Sequence, residues 1–194
     1  MPTNNALSDL AEIRSIMERS TKFLSMSAAS AAVAGMYALG GAALAWNTLR
    51  KGEHKPHALL LMAIAVFLMA LFTTLWMSYR KARKEGQKLW NRAAIRLFLN
   101  FAIPMAAGGI FILLLYARGF YSLIAASTLL FYGMALLNAG NFTFSDIRKL
   151  GIAQMALGLL AAALPGYGLL FWALGFGLLH IVYGALMYLK YEKP

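Results

Sequence analysis

Long apolar segments recur along the whole chain, and short polar segments separate them. Six are long enough to form transmembrane helices: residues 23–46, 57–79, 93–116, 121–141, 147–164 and 168–189. A helix rises about 1.5 Å per residue, so about 20 residues cross a hydrocarbon core of about 30 Å. The pattern predicts an all-α polytopic membrane protein, in which residues 23–194 form one transmembrane domain, a bundle of six helices.

The last apolar segment carries two different faces. A stripe of small residues, Ala173, Gly177 and Gly184, has His180 at its middle, and the other face is bulky and apolar. In lipid, small residues mark the places where another helix backbone comes close. We therefore expect His180 to face the bundle rather than the acyl chains.

The first 22 residues have a different pattern. Leu10, Ile13, Ile16 and Met17 form one apolar stripe, and nearby acidic residues interrupt the basic region that a secretory leader needs. The pattern of residues 1–22 therefore predicts an amphipathic helix that is retained and lies on the cytoplasmic membrane surface. Two roles are open for it, a docking helix for a partner or a lead-in to the first span.

Composition agrees with this fold and excludes several kinds of site. The chain is 61% hydrophobic, 13% charged and free of cysteine. That much apolar surface exceeds what a soluble core of this size can bury. The lack of cysteine excludes disulfides and thiolate metal sites.

The basic residues predict the orientation of the chain. Fourteen of the 18 Lys and Arg residues lie in the terminal segments and in the loops that six spans place on the same side. By the positive-inside rule, the side with fourteen faces the cytoplasm, so both termini are expected to be cytoplasmic. This distribution accounts for most of the net charge of +11, so nucleic acid is not an expected partner.

The densest basic stretch follows the second span. Its functional interpretation is contact with anionic lipid headgroups, and the plainer interpretation is topology alone. The candidate lipid contacts are Arg80, Lys81, Arg83, Lys84, Lys88 and Arg92.

Several polar residues lie inside the predicted spans. With the inferred orientation, Asn100, Asn138, Asn141 and Gln154 all lie toward the cytoplasmic ends of their helices. One interpretation is a polar vestibule with His180 at its floor, and the other is hydrogen bonding between helices. Tyr132 and Tyr183, which lie in the fourth and sixth spans, complete the candidate intramembrane polar site.

His180 is the residue with the widest chemical range. A neutral imidazole relays protons or binds metal or haem, but no second intramembrane histidine supplies the paired ligand typical of haem bundles. Glu53, His54 and His57 lie in a loop without the rigid spacing of a metal site. No span contains Asp or Glu and no catalytic motif is found, so we expect no catalytic residues, no metal and no cofactor, and favour a protein that is not an enzyme.

Three blocks carry a resemblance. EIRSIMERSTKFLS (residues 12–25), FYGMALLNAGNFTFSDIRKLG (131–151) and GYGLLFWALGFGLLHIVYGALMYLKYE (166–192) resemble a family of small bacterial inner-membrane proteins. The resemblance covers most of the chain and implies an integral membrane protein of about this length. It implies no activity and no functional residues.

Two functions remain open at this point. The first is a non-enzymatic membrane protein, a sensor, scaffold or accessory subunit that acts through helix contacts and a basic cytoplasmic face. The second is a small oligomeric transporter or channel that uses the polar vestibule and His180. The expected partners are the lipid bilayer with its anionic headgroups and either a second copy of the chain or another membrane protein.

Overall fold

The structure, a computed structural model, describes residues 27–52, 56–84, 86 and 92–192. The predicted amphipathic helix of residues 1–22 lies outside the described residues, as do Glu53, His54 and Lys88. Seven α-helices are described: α1 Ala28–Arg50, α2 Pro56–Lys84, α3 Arg92–Ala117, α4 Ile124–Ala139, α5 Asp146–Ala163, α6 Gly168–Trp172 and α7 His180–Tyr191. A π-helical segment, Ala173–Leu179, joins α6 to α7, and short 3-10 turns precede α4 and α6.

The prediction of an all-α fold is confirmed, because the described part of the chain contains helices and turns and no strand. Five helices are long and apolar enough to cross a membrane: Ala28–Arg50, Pro56–Lys84, Arg92–Ala117, Tyr121–Ala139 and Pro165–Tyr191. Helix α5, where the sequence predicted a further span, is not among them. Its first four residues include Asp146, Arg148 and Lys149, so the apolar part is only about 21 Å long.

Turn chemistry explains where α3 ends. Gly119 has a φ of 77°, and its N–H donates to the Tyr116 carbonyl at 3.0 Å, while the Phe120 N–H donates to the Leu115 carbonyl at 2.9 Å. These two bonds form a Schellman cap, for which glycine is the favoured residue. Inside α3, the helix continues on both sides of Pro104.

The helices form an inner group and two outer members. Helix α4 packs along α5, and the last helix, Pro165–Tyr191, packs between this pair and α1. Helix α2 packs on α1, and α3 packs on α4, so α2 and α3 flank the inner group. Most of the side chains of α2 and α3 are exposed, as expected for helices that face lipid.

Glycines set the close spacing of the inner helices. A Cβ on Gly133 of α4 would lie 2.7 Å from the Gly151 carbonyl oxygen of α5. One on Gly184 of α7 would lie 2.5 Å from the backbone nitrogen of Ala32 in α1. Backbones approach this closely only where no side chain intervenes.

One end of the bundle is held together by two carboxylates. Glu192 accepts from the Ala28 N–H at 2.9 Å and from the Lys81 ammonium at 2.7 Å, so it connects the end of α7 to the start of α1 and to α2. Asp146, at the start of α5, binds the ammonium groups of Lys149 at 3.0 Å and Lys190 at 2.7 Å. The two termini of the described chain therefore lie at the same end.

Candidate functional site

The candidate site lies where the regular helix of the last span gives way to the π-helical segment. That segment has the sequence ALGFGLL, with glycines at positions 175 and 177. A π-helix is rare, and its distorted ladder of backbone hydrogen bonds often marks a functional position. It presents the Gly175 carbonyl to the side chains of two residues, His180 and Gln154.

His180 has a hydrogen-bond partner for each ring nitrogen. Its Nδ1 lies 2.9 Å from the Gly175 carbonyl oxygen, which can only accept, so Nδ1 carries the proton. Its Nε2 lies 2.8 Å from the hydroxyl oxygen of Tyr132 on α4, and the Tyr132 O–H donates to it. The geometry thus assigns one neutral tautomer, in a residue that is 5% exposed.

Gln154 of α5 completes the polar cluster. Its Nε2 donates to the same Gly175 carbonyl at 2.8 Å and lies 3.4 Å from the His180 Nδ1. Among the described residues, its Oε1 is the one buried side-chain oxygen or nitrogen atom without a hydrogen-bond partner. We call His180, Tyr132, Gln154 and the Gly175 carbonyl the polar cluster; it links three helical elements.

Aromatic and aliphatic side chains close the space around the polar cluster. The Phe176 ring lies 6.0 Å from the His180 ring and 5.0 Å from the Tyr132 ring, measured between centroids. A Cβ on Gly175 would lie 2.4 Å from the Leu129 Cδ2 and 2.5 Å from the Gln154 Oε1. Position 175 therefore has no room for a side chain.

The structure brings together three of the seven predicted polar-site residues, His180, Tyr132 and Gln154. The others lie elsewhere. Tyr183, one turn along, packs on the apolar cluster of Leu136, Ile147 and Leu150, which Tyr132 also contacts.

The three predicted asparagines do not form a vestibule with His180. Asn100 donates to the Arg96 carbonyl of its own helix at 2.8 Å, and Asn138 and Asn141 are exposed. Asn138 follows Tyr132 by six residues, which turns it about 120° away around α4. Polar residues that lie at the same depth in the membrane therefore need not face the same part of the bundle.

Two large cavities lie outside the polar cluster. One, of about 420 Å³, is mainly apolar and lies at the end opposite Glu192, between α1, α2, the start of α4 and the start of the last helix. The other, of about 530 Å³, lies between α5 and α7. Neither is lined by His180, Tyr132 or Gln154, so neither leads to the cluster.

The candidate lipid-binding cations have different environments. Arg80 lies over the Trp76 ring at 5.2 Å, and Arg83, Lys84 and Arg92 are exposed. Lys81 is paired with Glu192, which reduces its availability to lipid. Lys88 lies outside the described residues.

No protein-family model matches the chain, and no curated protein or solved structure matches it either. Its function is therefore inferred from its own residues.

Gly175 and Phe176 are the members of the site that the sequence pattern did not identify. Gly175 acts through a backbone carbonyl, which no side-chain motif reveals, and Phe176 looks like any other lipid-facing aromatic residue. The available signal was the pair of glycines at positions 175 and 177, which weakens a regular helix just before His180.

Proposed function

We propose that this protein is a non-enzymatic integral membrane protein, a scaffold or accessory subunit. It works through contacts of its helices and through its basic end, which is the end of the bundle that carries Lys81, Lys149 and Lys190. The observation that carries the proposal is the closure of the polar cluster. Both ring nitrogens of His180 are used by Tyr132 and by the Gly175 carbonyl, so the residue best suited to proton or cofactor chemistry holds helices together instead.

The surfaces available for partners are the outer faces of α2 and α3. Both helices expose large apolar side chains along most of their length, among them Phe72 on α2 and Ile103 on α3. These faces suit lipid, a second copy of the chain or another membrane protein. An oligomer built on them would leave the inner group unchanged.

The proposed orientation places the basic end in the cytoplasm of a bacterial cell, with α5 as the sixth crossing helix. The contacts of Glu192 with Ala28 and Lys81 support a common side for the start of α1, the end of α2 and the end of α7. The excess of Lys and Arg at this end supports its cytoplasmic location. The resemblance to small bacterial inner-membrane proteins fits the same placement.

Substitutions at His180 test the proposed role. His180→Gln keeps a donor and an acceptor, so the protein should remain folded with nearly the stability of the wild type. His180→Leu removes the acceptor for Tyr132 and one donor to Gly175, and should cost about 1 to 2 kcal/mol. Unfolding in mixed micelles with increasing dodecyl sulfate measures both.

Proton flux distinguishes the alternative function. Proteoliposomes containing the wild-type protein or His180→Gln should carry the same flux as liposomes without protein. A flux that appears with the wild type and disappears with a folded His180→Gln variant would refute the scaffold proposal in favour of a transporter.

Cysteine labelling tests the orientation, and the natural lack of cysteine makes single-cysteine variants clean. In intact cells, Lys51→Cys should react with a membrane-impermeant thiol reagent and Lys84→Cys should be protected. The reverse pattern would invert the topology.

A further inference from the structure

The cavity between α5 and α7 combines an apolar groove with two cations at its mouth. The α5 wall consists of every third or fourth residue from Asp146 to Ala153. The opposite wall belongs to the last helix and runs from Leu179, at the end of the π-helical segment, to Lys190 in α7. The groove is therefore about 16 Å long on its longer wall. Its volume of about 530 Å³ is in the range of small-molecule sites.

The deep part of the groove is apolar. Ala153 of α5 faces Leu179, Val182 and Leu186 of the last helix across it. Val182 and Leu186 are among the exposed large apolar side chains, so the groove opens sideways to the surroundings of the bundle. A chain of methylene groups matches this lining, whereas water has few partners in it.

The mouth of the groove is cationic. Asp146 holds the Lys149 and Lys190 ammonium groups on its two oxygens, at 3.0 and 2.7 Å. Each ammonium has three N–H donors and spends one on Asp146, so two per lysine remain. Both lysine side chains are largely exposed, at 81% and 56%, while Asp146 is 17% exposed. The mouth thus carries a net charge of +1 on two exposed ammonium groups and one carboxylate.

We propose that this groove binds one anionic phospholipid, with the headgroup phosphate on Lys149 and Lys190 and an acyl chain along Val182 and Leu186. Charge complementarity selects the headgroup, and the apolar, laterally open wall selects the chain. Basic pockets between transmembrane helices at the cytoplasmic side are suited to anionic lipids. The site does not use the basic residues at the end of α2. A negative result for lipid binding would therefore leave the scaffold proposal unchanged.

The test is competition between lipids on the purified full-length protein, followed by native mass spectrometry. Phosphatidylglycerol should bind about fivefold more tightly than phosphatidylcholine of the same chains, as expected for one net charge near the membrane surface. The Lys149→Gln/Lys190→Gln variant should lose this preference. The matched control Arg50→Gln/Lys51→Gln, which removes two cations at the opposite end, should keep it.

The apolar half of the site has its own variant, with both lysines intact. Ala153→Phe fills the groove and should reduce phosphatidylglycerol binding at least fivefold, and Ala156→Phe, on an exposed face of the same helix, should not. If the double lysine variant fails to fold, this pair alone decides the proposal.

Three outcomes would overturn it. The first is an unchanged lipid preference in the folded double variant or unchanged binding in Ala153→Phe. The second is binding of glycerophosphoglycerol, which has the headgroup without the chains, as tightly as the lipid, because that would indicate a soluble phosphate ligand. The third is a disulfide between two copies of Val182→Cys in membranes, which would show that a second copy covers the groove.

Discussion

The inner helices and the outer helices are built from similar apolar residues but lie in different environments. In α4, Gly133 and Leu129 are buried against α5 and the π-helical segment, whereas in α2, Phe72 and its neighbours are exposed. Lipid is as apolar as leucine, so burial of apolar surface does not distinguish the two groups. Glycine-to-backbone contacts and the polar cluster do distinguish them, because both lie in the inner group.

The comparison implies that mutations should be tolerated according to what they touch, not according to hydrophobicity. Substitution should be harmful at a glycine that meets a backbone and tolerated at a glycine that meets lipid. A phenylalanine side chain in lipid should contribute less to the stability of the fold than a leucine side chain packed between helices.

The largest effect is expected at Gly35 of α1. A Cβ there would lie 2.6 Å from the Gly177 carbonyl oxygen, so Gly35→Leu forces α1 away from the last helix. We expect a loss of more than about 3 kcal/mol, which is the upper range for overpacking. Size-exclusion chromatography after detergent extraction should show aggregated protein.

Gly40, five residues later on the same helix, is the control. A Cβ at Gly40 meets nothing within 4 Å, so Gly40→Leu should remain monodisperse and at least as stable as the wild type, since leucine has the higher helix propensity. Equal behaviour of the two variants would contradict the proposed packing of α1.

The second prediction compares two large-to-small changes. Leu129 is 0% exposed and packs against α5 and the π-helical segment, so Leu129→Ala should cost about 2 kcal/mol. Phe72 is 72% exposed, and Phe72→Ala should change stability by no more than about 0.5 kcal/mol. Dodecyl sulfate unfolding measures both; a larger loss for Phe72→Ala would mean that α2 has a protein partner rather than lipid on its outer face.

The third prediction concerns the polar cluster. Tyr132→Phe removes the donor to the His180 Nε2 and should cost about 1 kcal/mol. Tyr188, exposed on α7, provides the control, and Tyr188→Phe should be neutral. If both variants match the wild type, the Tyr132–His180 hydrogen bond contributes nothing to stability, and the polar cluster does not hold the helices together.

The sequence predicted the helices well because their signals are local. A run of apolar residues, a glycine turn such as Gly119 and a proline at a helix start such as Pro56 each act within a few residues, and the predicted bounds differ from the described ones by at most five residues where both are defined. The sequence predicted six crossing helices, whereas five of the described helices are long and apolar enough. The difference is α5, because the three charges at its start shorten its apolar part.

The site was predicted only in part, for a physical reason. Helical spacing identified His180 as inward facing, but contacts between helices depend on their relative rotation, which no single segment encodes. Asn138 and Tyr132 therefore looked alike from the sequence, and only Tyr132 reaches His180. The Gly175 carbonyl is a partner because it lies in the π-helical segment, at a point where Leu129 and Gln154 leave no room for a side chain.

The smallest predicted effect is a pH dependence at the basic end. The hydrogen bonds from Lys190 and Lys149 lower the pKa of Asp146 from its ordinary value of 3.8 to about 2. A carboxylate whose pKa is depressed on folding stabilises the folded state above its unfolded pKa, and this contribution is lost as the pH falls from about 4 toward 2. The thermal unfolding midpoint in a detergent without titratable groups should therefore decrease across this range.

Asp146→Asn isolates that contribution. At pH 7 the variant should be slightly less stable than the wild type, because it lacks the charge that holds the two lysines, and the pH dependence between 4 and 2 should be reduced in it. Glu192, the other carboxylate that the structure describes at this end, keeps its contact with Lys81 in this variant. A curve for Asp146→Asn that is parallel to the wild-type curve over the whole range would show that the Asp146 ion pairs do not connect α5 to α7 in solution. The mouth of the proposed lipid groove would then have no fixed geometry.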